Sequence, residues 1–372
     1  MSQQEVKQIF FAGGGTGGHL YPALAVAEWL QEQGPRVEIA FFCSSREIDA
    51  KILGPSGFDF LPLPAEGFSK SPLKVVRFLA QFLKSYYFAK EILRYDPSSS
   101  VVVGTGGFVS APVVAAAHSL HIPVFLINVD SVPGKANRLM ARYASRILVQ
   151  FEQTRPYFGR FADRVEVVGC PLRKEFNKPV GDIRSQYGLD AKKKILLITG
   201  ASSGSRSINQ AILEILPSLE PFAEHWQIVH LTGTAHFEWV RSQTADSAIA
   251  YCVLDYCHQM PALLRTSSLV IGRAGAASVA EYAAAGVPAI CLPYPYHKDR
   301  HQFLNAQPLV ERGAAVIVED NPAHPADTAQ ALQQVLFELM GDSGRLEKMA
   351  EAARSRSGSN ASERTARLLL GL

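Results

Sequence analysis

Cysteine is scarce in this 372-residue chain, and its five examples are scattered. Cys43, Cys170, Cys252, Cys257 and Cys291 form no CxxC pair and no cluster with histidine at zinc spacing, which argues against a disulfide framework and a structural zinc site. Reduced thiols of a cytosolic protein fit this pattern best. No apolar run reaches the roughly 18 residues that a membrane span needs. Charge of one sign is lacking too. Lys and Arg total 37 against 34 Asp and Glu, and a formal net charge of +3 is too small to argue for nucleic acid. It leaves room for a local basic patch facing an anionic membrane. The opening MSQQEVKQIFFAGGG runs almost directly into a strand, so no signal peptide is expected.

What is present suits a folded protein of two domains, with 47% hydrophobic and 19% charged residues. Strands are expected at Gln8–Ala12, Val37–Cys43, Val101–Val103, Pro123–Ile127, Arg146–Gln150 and Val165–Val168, with helical stretches between them, the first over Tyr21–Gln33. A second start follows at Lys194–Gly200, with a helix over Ile208–Leu216. Strands then recur at Gln227–Leu231, Ala250–Val253, Leu269–Ile271, Ala289–Leu292 and Ala315–Val318. Alternating strands and helices predict parallel sheets covered on both faces. The reading is α/β, two Rossmann-like doubly wound domains in tandem, joined near Gly169–Pro179 and facing a cleft.

Residues 12–20 read AGGGTGGHL. Gly13, Gly15 and Gly18 match G-x-G-x-x-G at a strand-to-helix junction, which alone is a weak dinucleotide signal. A NAD site wants an acid about 20 residues on, at the end of the second strand. Ser44, Ser45 and Arg46 stand there instead, which disfavours NAD and leaves NADP a distant reading. A Walker A loop would need lysine where His19 stands. The glycines still let backbone N–H groups approach an anion at a helix start. His19 either satisfies the loop or serves as a base toward a hydroxyl.

The stretch SLVIGRAGAASVAEYAAAGVPAICLPYPYHKDRHQFLNAQ, Ser268 to Gln307, carries most information. Arg273-Ala-Gly275-Ala leads into a helix over Ala277–Ala285, stopped by Gly286. Small residues at that start expose N–H groups suited to a diphosphate. Glu281, one turn inside, either accepts from a ribose diol or complements the helix dipole. In the following loop, Asp299, Arg300, His301 and Gln302 are able to reach sugar hydroxyls; the plainer reading makes Asp299 a helix N-cap. No two Asp residues are spaced D-x-D, so the metal clamp of one class of nucleotide-sugar enzymes is missing. Helix ends and Arg or Lys then have to handle leaving-group charge.

Taken in order, GGGTGGHLYPALAVAEWL, GTGGFVSAP, GASSGSRSINQ and RAGAASVAEYAAAGVPAICLPYPYHKDRHQFLNA resemble a known family across nearly the whole chain. It is the MurG family, the bacterial transferases that add N-acetylglucosamine to undecaprenyl-diphosphate-MurNAc-pentapeptide, making lipid II from lipid I in peptidoglycan synthesis. The resemblance implies the GT-B glycosyltransferase fold and an inverting, metal-independent reaction with no cofactor. UDP-GlcNAc and undecaprenyl-linked lipid I would be the substrates. It implies an acceptor domain over 1–172, a donor domain over 173–352, and a C-terminal helix at about 353–372 packing back on the first.

The same resemblance implies the site. Thr16, Gly17 and Gly18 would lie near the sugar, and Gly14, Gly15, Gly106, Gly107 and Asn137 would serve the acceptor. Arg173 and Ser202 would approach the donor phosphates, Cys257 would lie beside uracil, and Arg273 would cover the base. Ala276, Ala277 and Ser278 would hold the diphosphate, Glu281 the ribose and Gln302 the sugar hydroxyls; Asn209 also matches a family position. His19, or less so Asp130, would be the base. Asp130 replaces an amide expected to touch the sugar. The family's usual His-Glu-Gln-Asn reads Ile127-Asn128-Val129-Asp130 here, a usual Tyr is Phe108, and the first of a Gln-Gln pair is His301.

Ser69–Arg94 holds six Lys or Arg and one Glu, with Val75, Phe78, Leu79, Phe82 and Leu83 at helical spacing. It reads as a basic amphipathic helix for an anionic inner leaflet, against the plainer alternative of a sheet-covering helix with a solvated basic face. The family is peripheral to the cytoplasmic face of the cell membrane, beside other cell-wall and division enzymes. Rival readings are a UDP-GlcNAc 2-epimerase-like isomerase and a non-catalytic UDP-sugar-binding relative, the latter favoured by the lost His-Glu-Gln-Asn.

Overall fold

The computed structural model describes residues 6–34, 36–67, 71–177, 181–201, 204–354 and 360–371. Two compact units emerge: Met1–Lys174 with Asn360–Leu372, and Glu175–Ser359.

In the first unit the described strands are β1 (Gln8–Gly13), β2 (Glu38–Ser44), β3 (Asp59–Leu63), β4 (Ser100–Gly106), β5 (Val124–Asn128), β6 (Arg146–Val149) and β7 (Val165–Val167). Helices α1 (Gly17–Gln33), α2 (Glu47–Leu53), α3 (Pro72–Leu93), α4 (Gly107–Ser119) and α5 (Lys135–Met140) run between them. The sheet is parallel in the order β3-β2-β1-β4-β5-β6-β7. Every residue of β4 is buried, as a run such as Val101-Val102-Val103 requires when helices cover both faces.

The second unit repeats the plan. Its described strands are β8 (Lys194–Thr199), β9 (Trp226–Leu231), β10 (Ala250–Leu254), β11 (Leu269–Gly272), β12 (Ala289–Cys291) and β13 (Ala315–Ile317), parallel in the order β10-β9-β8-β11-β12-β13. Its helices are α6 (Arg206–Ile215), α7 (Phe237–Gln243), α8 (Met260–Thr266), α9 (Ala276–Ala285), α10 (His301–Glu311), α11 (Pro325–Gly341) and α12 (Ser343–Arg354). Its core joins α6 and α11 to the sheet through Ile212, Trp226, Leu332 and Leu336. The last helix, α13 (Ala361–Leu370), belongs to the first unit and packs on α1. Ser362 Oγ donates to Leu172 O at 3.3 Å and Arg364 Nη2 to Val167 O at 3.0 Å.

Three local expectations change. β3 was not foreseen; it is an edge strand carrying Pro62, half-exposed for much of its length, so it lacks the apolar run of its neighbours. Helix α1 begins at Gly17 rather than Tyr21, because the packed strand end, not glycine's weak propensity, sets its first turn. Arg300, at φ 49°, caps α10 in place of Asp299, whose carboxylate still accepts from the His301 N–H at 3.3 Å.

In both sheets the strand order reverses beside the first strand, at β1/β4 and at β8/β11. Connections leave such a point in opposite directions and open a crevice beyond the strand ends, where α/β proteins bind ligands. Leu336, on α11, is fully buried. Leu336→Ala should destabilise the second unit by about 2–5 kcal/mol, read as a lower unfolding midpoint in denaturant.

Candidate functional site

At the β1/β4 reversal, Gly13 and Gly14 are required by packing. A Cβ on Gly13 would lie 1.9 Å from Thr105 Oγ1, and one on Gly14 would lie 2.2 Å from Asp49 Oδ2. Asp49, in α2, is fully buried and holds the loop. Its carboxylate accepts from Gly15 N at 2.8 and 2.9 Å, from Ser44 N at 2.8 Å and from Ser44 Oγ at 2.7 Å. Arg46 donates to Gly15 O at 3.3 Å and lies over the Phe108 ring. The acid sought at the end of the second strand thus exists a few residues later, turned toward the protein backbone rather than a ribose.

His19 sits in the first turn of α1, half-buried. Its Nδ1 lies 3.1 Å from Gly14 O and 3.2 Å from Thr16 Oγ1. A carbonyl only accepts, so Nδ1 carries the proton and the neutral ring keeps its lone pair on Nε2. Gly106 and Gly107, at φ +104° and +77°, pass against the ring where a side chain would crowd it. Ser110 Oγ ties the two strand ends, donating to Ala12 O at 2.5 Å. Asn137 and Asn128, both buried, hydrogen-bond at 3.0 Å, and Asn128 Nδ2 donates to Asp130 O at 2.7 Å. The structure therefore gathers Gly14, Gly15, Thr16, Gly17, Gly18, His19, Gly106, Gly107, Asn128, Asp130 and Asn137 at one end of one sheet.

In the second unit, a cavity of about 490 Å³ opens over the ends of β8, β11, β12 and β13. Gly204, Ser205, Arg273, Gly275, Ser278, Tyr294, Gln302 and Asp320 are among its lining residues. Arg273 is its brace. Nη1 donates to Leu292 O at 3.0 Å and pairs with Asp320 at 2.8 Å, while Nη2 reaches Ser205 Oγ and Ser207 Oγ, each at 2.8 Å. Gln302 Oε1 accepts from Tyr294 N at 2.9 Å, which fixes the Tyr294–Gln302 loop. At α9 the N-cap is Gly275, which has no side chain of its own, and a helix start of small residues, Ala276, Ala277 and Ser278, suits an anion. Glu281 is half-buried on the same helix. Among the described residues, no group of three or more His, Cys, Asp or Glu is placed to hold a metal ion.

Residues 9–149 match the glycosyltransferase family 28 N-terminal domain, and residues 195–365 match its C-terminal domain. A UDP-N-acetylglucosamine–N-acetylmuramyl-(pentapeptide) pyrophosphoryl-undecaprenol N-acetylglucosamine transferase of Leuconostoc mesenteroides is 36% identical over 371 residues, 98% of each chain. The chain belongs to this family 28 transferase family. A transferase of the same name from Lactiplantibacillus plantarum is 35% identical over 334 residues, 88% of this chain and 90% of that one. The crystal structure of MurG from Acinetobacter baumannii superimposes with a TM-score of 0.75 at 27% identity, covering 98% of this chain and 100% of that one. A UDP-GlcNAc 2-epimerase from Neisseria meningitidis, at TM-score 0.67 and 14% identity over 98% of this chain and all of that one, shares the fold.

Other positions drawn from the family 28 resemblance are more scattered. Arg173 lies in the first unit, over the Tyr21 ring. Ser202 falls outside the described residues. Cys257 is buried, 3.6 Å from Tyr187 OH; burial, then the thiol itself, push that phenol up to about 12. Arg273 lines the cavity and, through Nη1 and Nη2, braces the loops around it. Asp49 and Asp320 were missed, because each acts on a segment far from it in sequence.

Asn209 anchors a buried chain in this family 28 protein. Its Nδ2 donates to Thr232 O at 3.1 Å, so its Oδ1 accepts from His230 Nε2 at 3.0 Å, and His230 Nδ1 accepts from Tyr251 OH at 2.8 Å. Burial, and secondarily His236, lower the His230 imidazole from 6.5 to about 3. Between those values the unfolded chain holds a proton that the folded protein lacks, so this contribution to stability is complete above the upper one and falls as pH drops. The slope approaches ~1.4 kcal/mol per pH unit. His230→Gln should flatten the loss of stability between about pH 7 and pH 4.5 relative to the parent, measured by denaturant titration at each pH.

Proposed function

We propose that the chain transfers N-acetylglucosamine from UDP-GlcNAc to the C4 hydroxyl of undecaprenyl-diphosphate-MurNAc-pentapeptide, converting lipid I to lipid II, with inversion and without a metal. The observation that carries the reading is the His19 ring with its Nδ1 proton held by Gly14 O, at a strand-order reversal, in a chain similar along its whole length to transferases of that name. As the acceptor O–H bond breaks, its proton passes to His19 Nε2. The oxygen attacks the anomeric carbon, and the bond to UDP breaks with its electron pair on the diphosphate. Asp130, half-buried beyond β5, is the second candidate base and a contact for the sugar.

The start of α9 takes the leaving diphosphate at Ala276–Ser278, with Ser202 and Arg173 as further donors. Glu281 receives the ribose diol, Gln302 the sugar hydroxyls, and Cys257 lies beside uracil. Gly14, Gly15, Gly106 and Gly107 face the acceptor, with Thr16, Gly17 and Gly18 near the sugar. The departures at Ile127-Asn128-Val129-Asp130 support a second reading, a relative that binds UDP-GlcNAc without transfer.

The acceptor's lipid calls for a membrane surface, and α3 supports one. Leu73, Val76, Leu79, Leu83 and Tyr87 are exposed at intervals of three and four residues, with Leu73 at 85%. Val75, Phe78 and Phe82 are half-buried, so the exposed stripe is offset from the one expected. Lys74, Arg77 and Lys84 accompany it, and Arg77 also pairs with Glu66. Such a surface supports peripheral attachment to the cytoplasmic face.

With labelled UDP-GlcNAc, a lipid I analogue and EDTA present, the parent should transfer sugar. His19→Asn should lower kcat by roughly 10²–10⁴-fold with donor binding retained. Donor binding without transfer by the parent would favour the non-catalytic reading, and a lipid-free change of UDP-GlcNAc itself would favour the epimerase. Charge reversal of Lys74, Arg77 and Lys84 together should weaken sedimentation with phosphatidylglycerol vesicles by roughly 100-fold, at ~1 kcal/mol per basic residue. Unchanged sedimentation would remove the membrane role of α3.

A further inference from the structure

Two buried amides at the β1/β4 reversal form a chain whose direction is forced. Asp130 O is a carbonyl and only accepts, so the Asn128 side chain must present Nδ2 to it, at 2.7 Å. Asn128 Oδ1 is then the atom that faces Asn137, and only Asn137 Nδ2 is able to donate to it, at 3.0 Å. That leaves Asn137 Oδ1 at the far end. Asn137 is 5% exposed, and this oxygen is buried without a hydrogen-bond partner.

The open oxygen borders the base. A Cβ placed on Gly106 would lie 3.3 Å from Asn137 Oδ1 and 3.3 Å from His19 Nε2, so glycine keeps clear a space that both atoms line. With the His19 proton on Nδ1, both atoms are acceptors, and no bond between them forms in the resting state. Protonation of Nε2 turns one acceptor into a charged donor, for which the waiting carbonyl is the complementary partner.

We propose that Asn137, oriented by Asn128, is a positioning residue that accepts the new Nε2–H of protonated His19 and so helps retain the proton taken from the acceptor hydroxyl. The inference rests on the reading of His19 as the base. Charged groups at this end of the sheet include Asp49 and Arg46, on the N–H and C=O of Gly15, Asp130 at the head of the relay, and Lys135 and Arg138 on α5. In each variant below they are unchanged.

The test is an NMR titration of ¹⁵N-histidine-labelled full-length protein, with the His19 signal assigned by its loss in His19→Gln, beside kcat and KM for both substrates. Asn137→Ala should move the His19 ring midpoint about one pH unit lower than in the parent and reduce kcat about tenfold, with KM for UDP-GlcNAc unchanged. Asn128→Ala should do the same by releasing the Asn137 amide, and the double variant should add nothing further. It also serves as the readout if Asn137→Ala does not fold. An unmoved His19 midpoint in a folded variant, or additive losses in the double variant, overturns the proposal. Midpoint shifts in a protein that performs no transfer would uphold the relay and reject His19 as the catalytic base.

Discussion

A buried carboxylate governs the first unit's site. Asp49 holds the Gly15 N–H, and through it the course of the loop between β1 and α1. The loop sets where the Gly14 carbonyl points, and that carbonyl decides which ring nitrogen of His19 carries the proton. Basicity at Nε2 is thus a downstream result of a side chain in α2 that acts through the loop. The carboxylate is stable where it is because two backbone N–H groups and the Ser44 hydroxyl meet its oxygens.

The second unit solves the same geometric problem by other means. Its strand-order reversal is spanned by Arg273, whose guanidinium joins the segments after β8, β12 and β13 and is neutralised by Asp320. Where the first unit relies on bare backbone packed too closely for side chains, the second uses one planar cation with many donors. That leaves a roomy cavity beside the start of α9, while the first unit's crevice is built around a single imidazole.

Much of the fold was legible because buried parallel strands must be apolar along their whole length. β4 and β8 carry that signal, and Gly286 marks the end of α9 by its left-handed conformation. β3 was illegible for the opposite reason: an edge strand with Pro62 has no such run. At the site, His19 and the start of α9 stood out by residue type beside a strand end, and Gly106 and Gly107 through the family resemblance. Asp49 and Asp320 did not, since an acid within a helix or after a strand looks like solvated surface until the fold brings a distant N–H or guanidinium to it. Arg273 was visible, but its partners were not, and the partners decide which way it faces.

The closing helix of the chain has a consequence for synthesis. Because α13 belongs to the first unit and covers α1, the amino-terminal half of the protein is completed by the carboxy-terminal residues. During translation the second unit is fully made while the face of α1 that bears α13 is still bare. The half that begins first is therefore completed only after the second unit has been made, when α13 comes to cover α1.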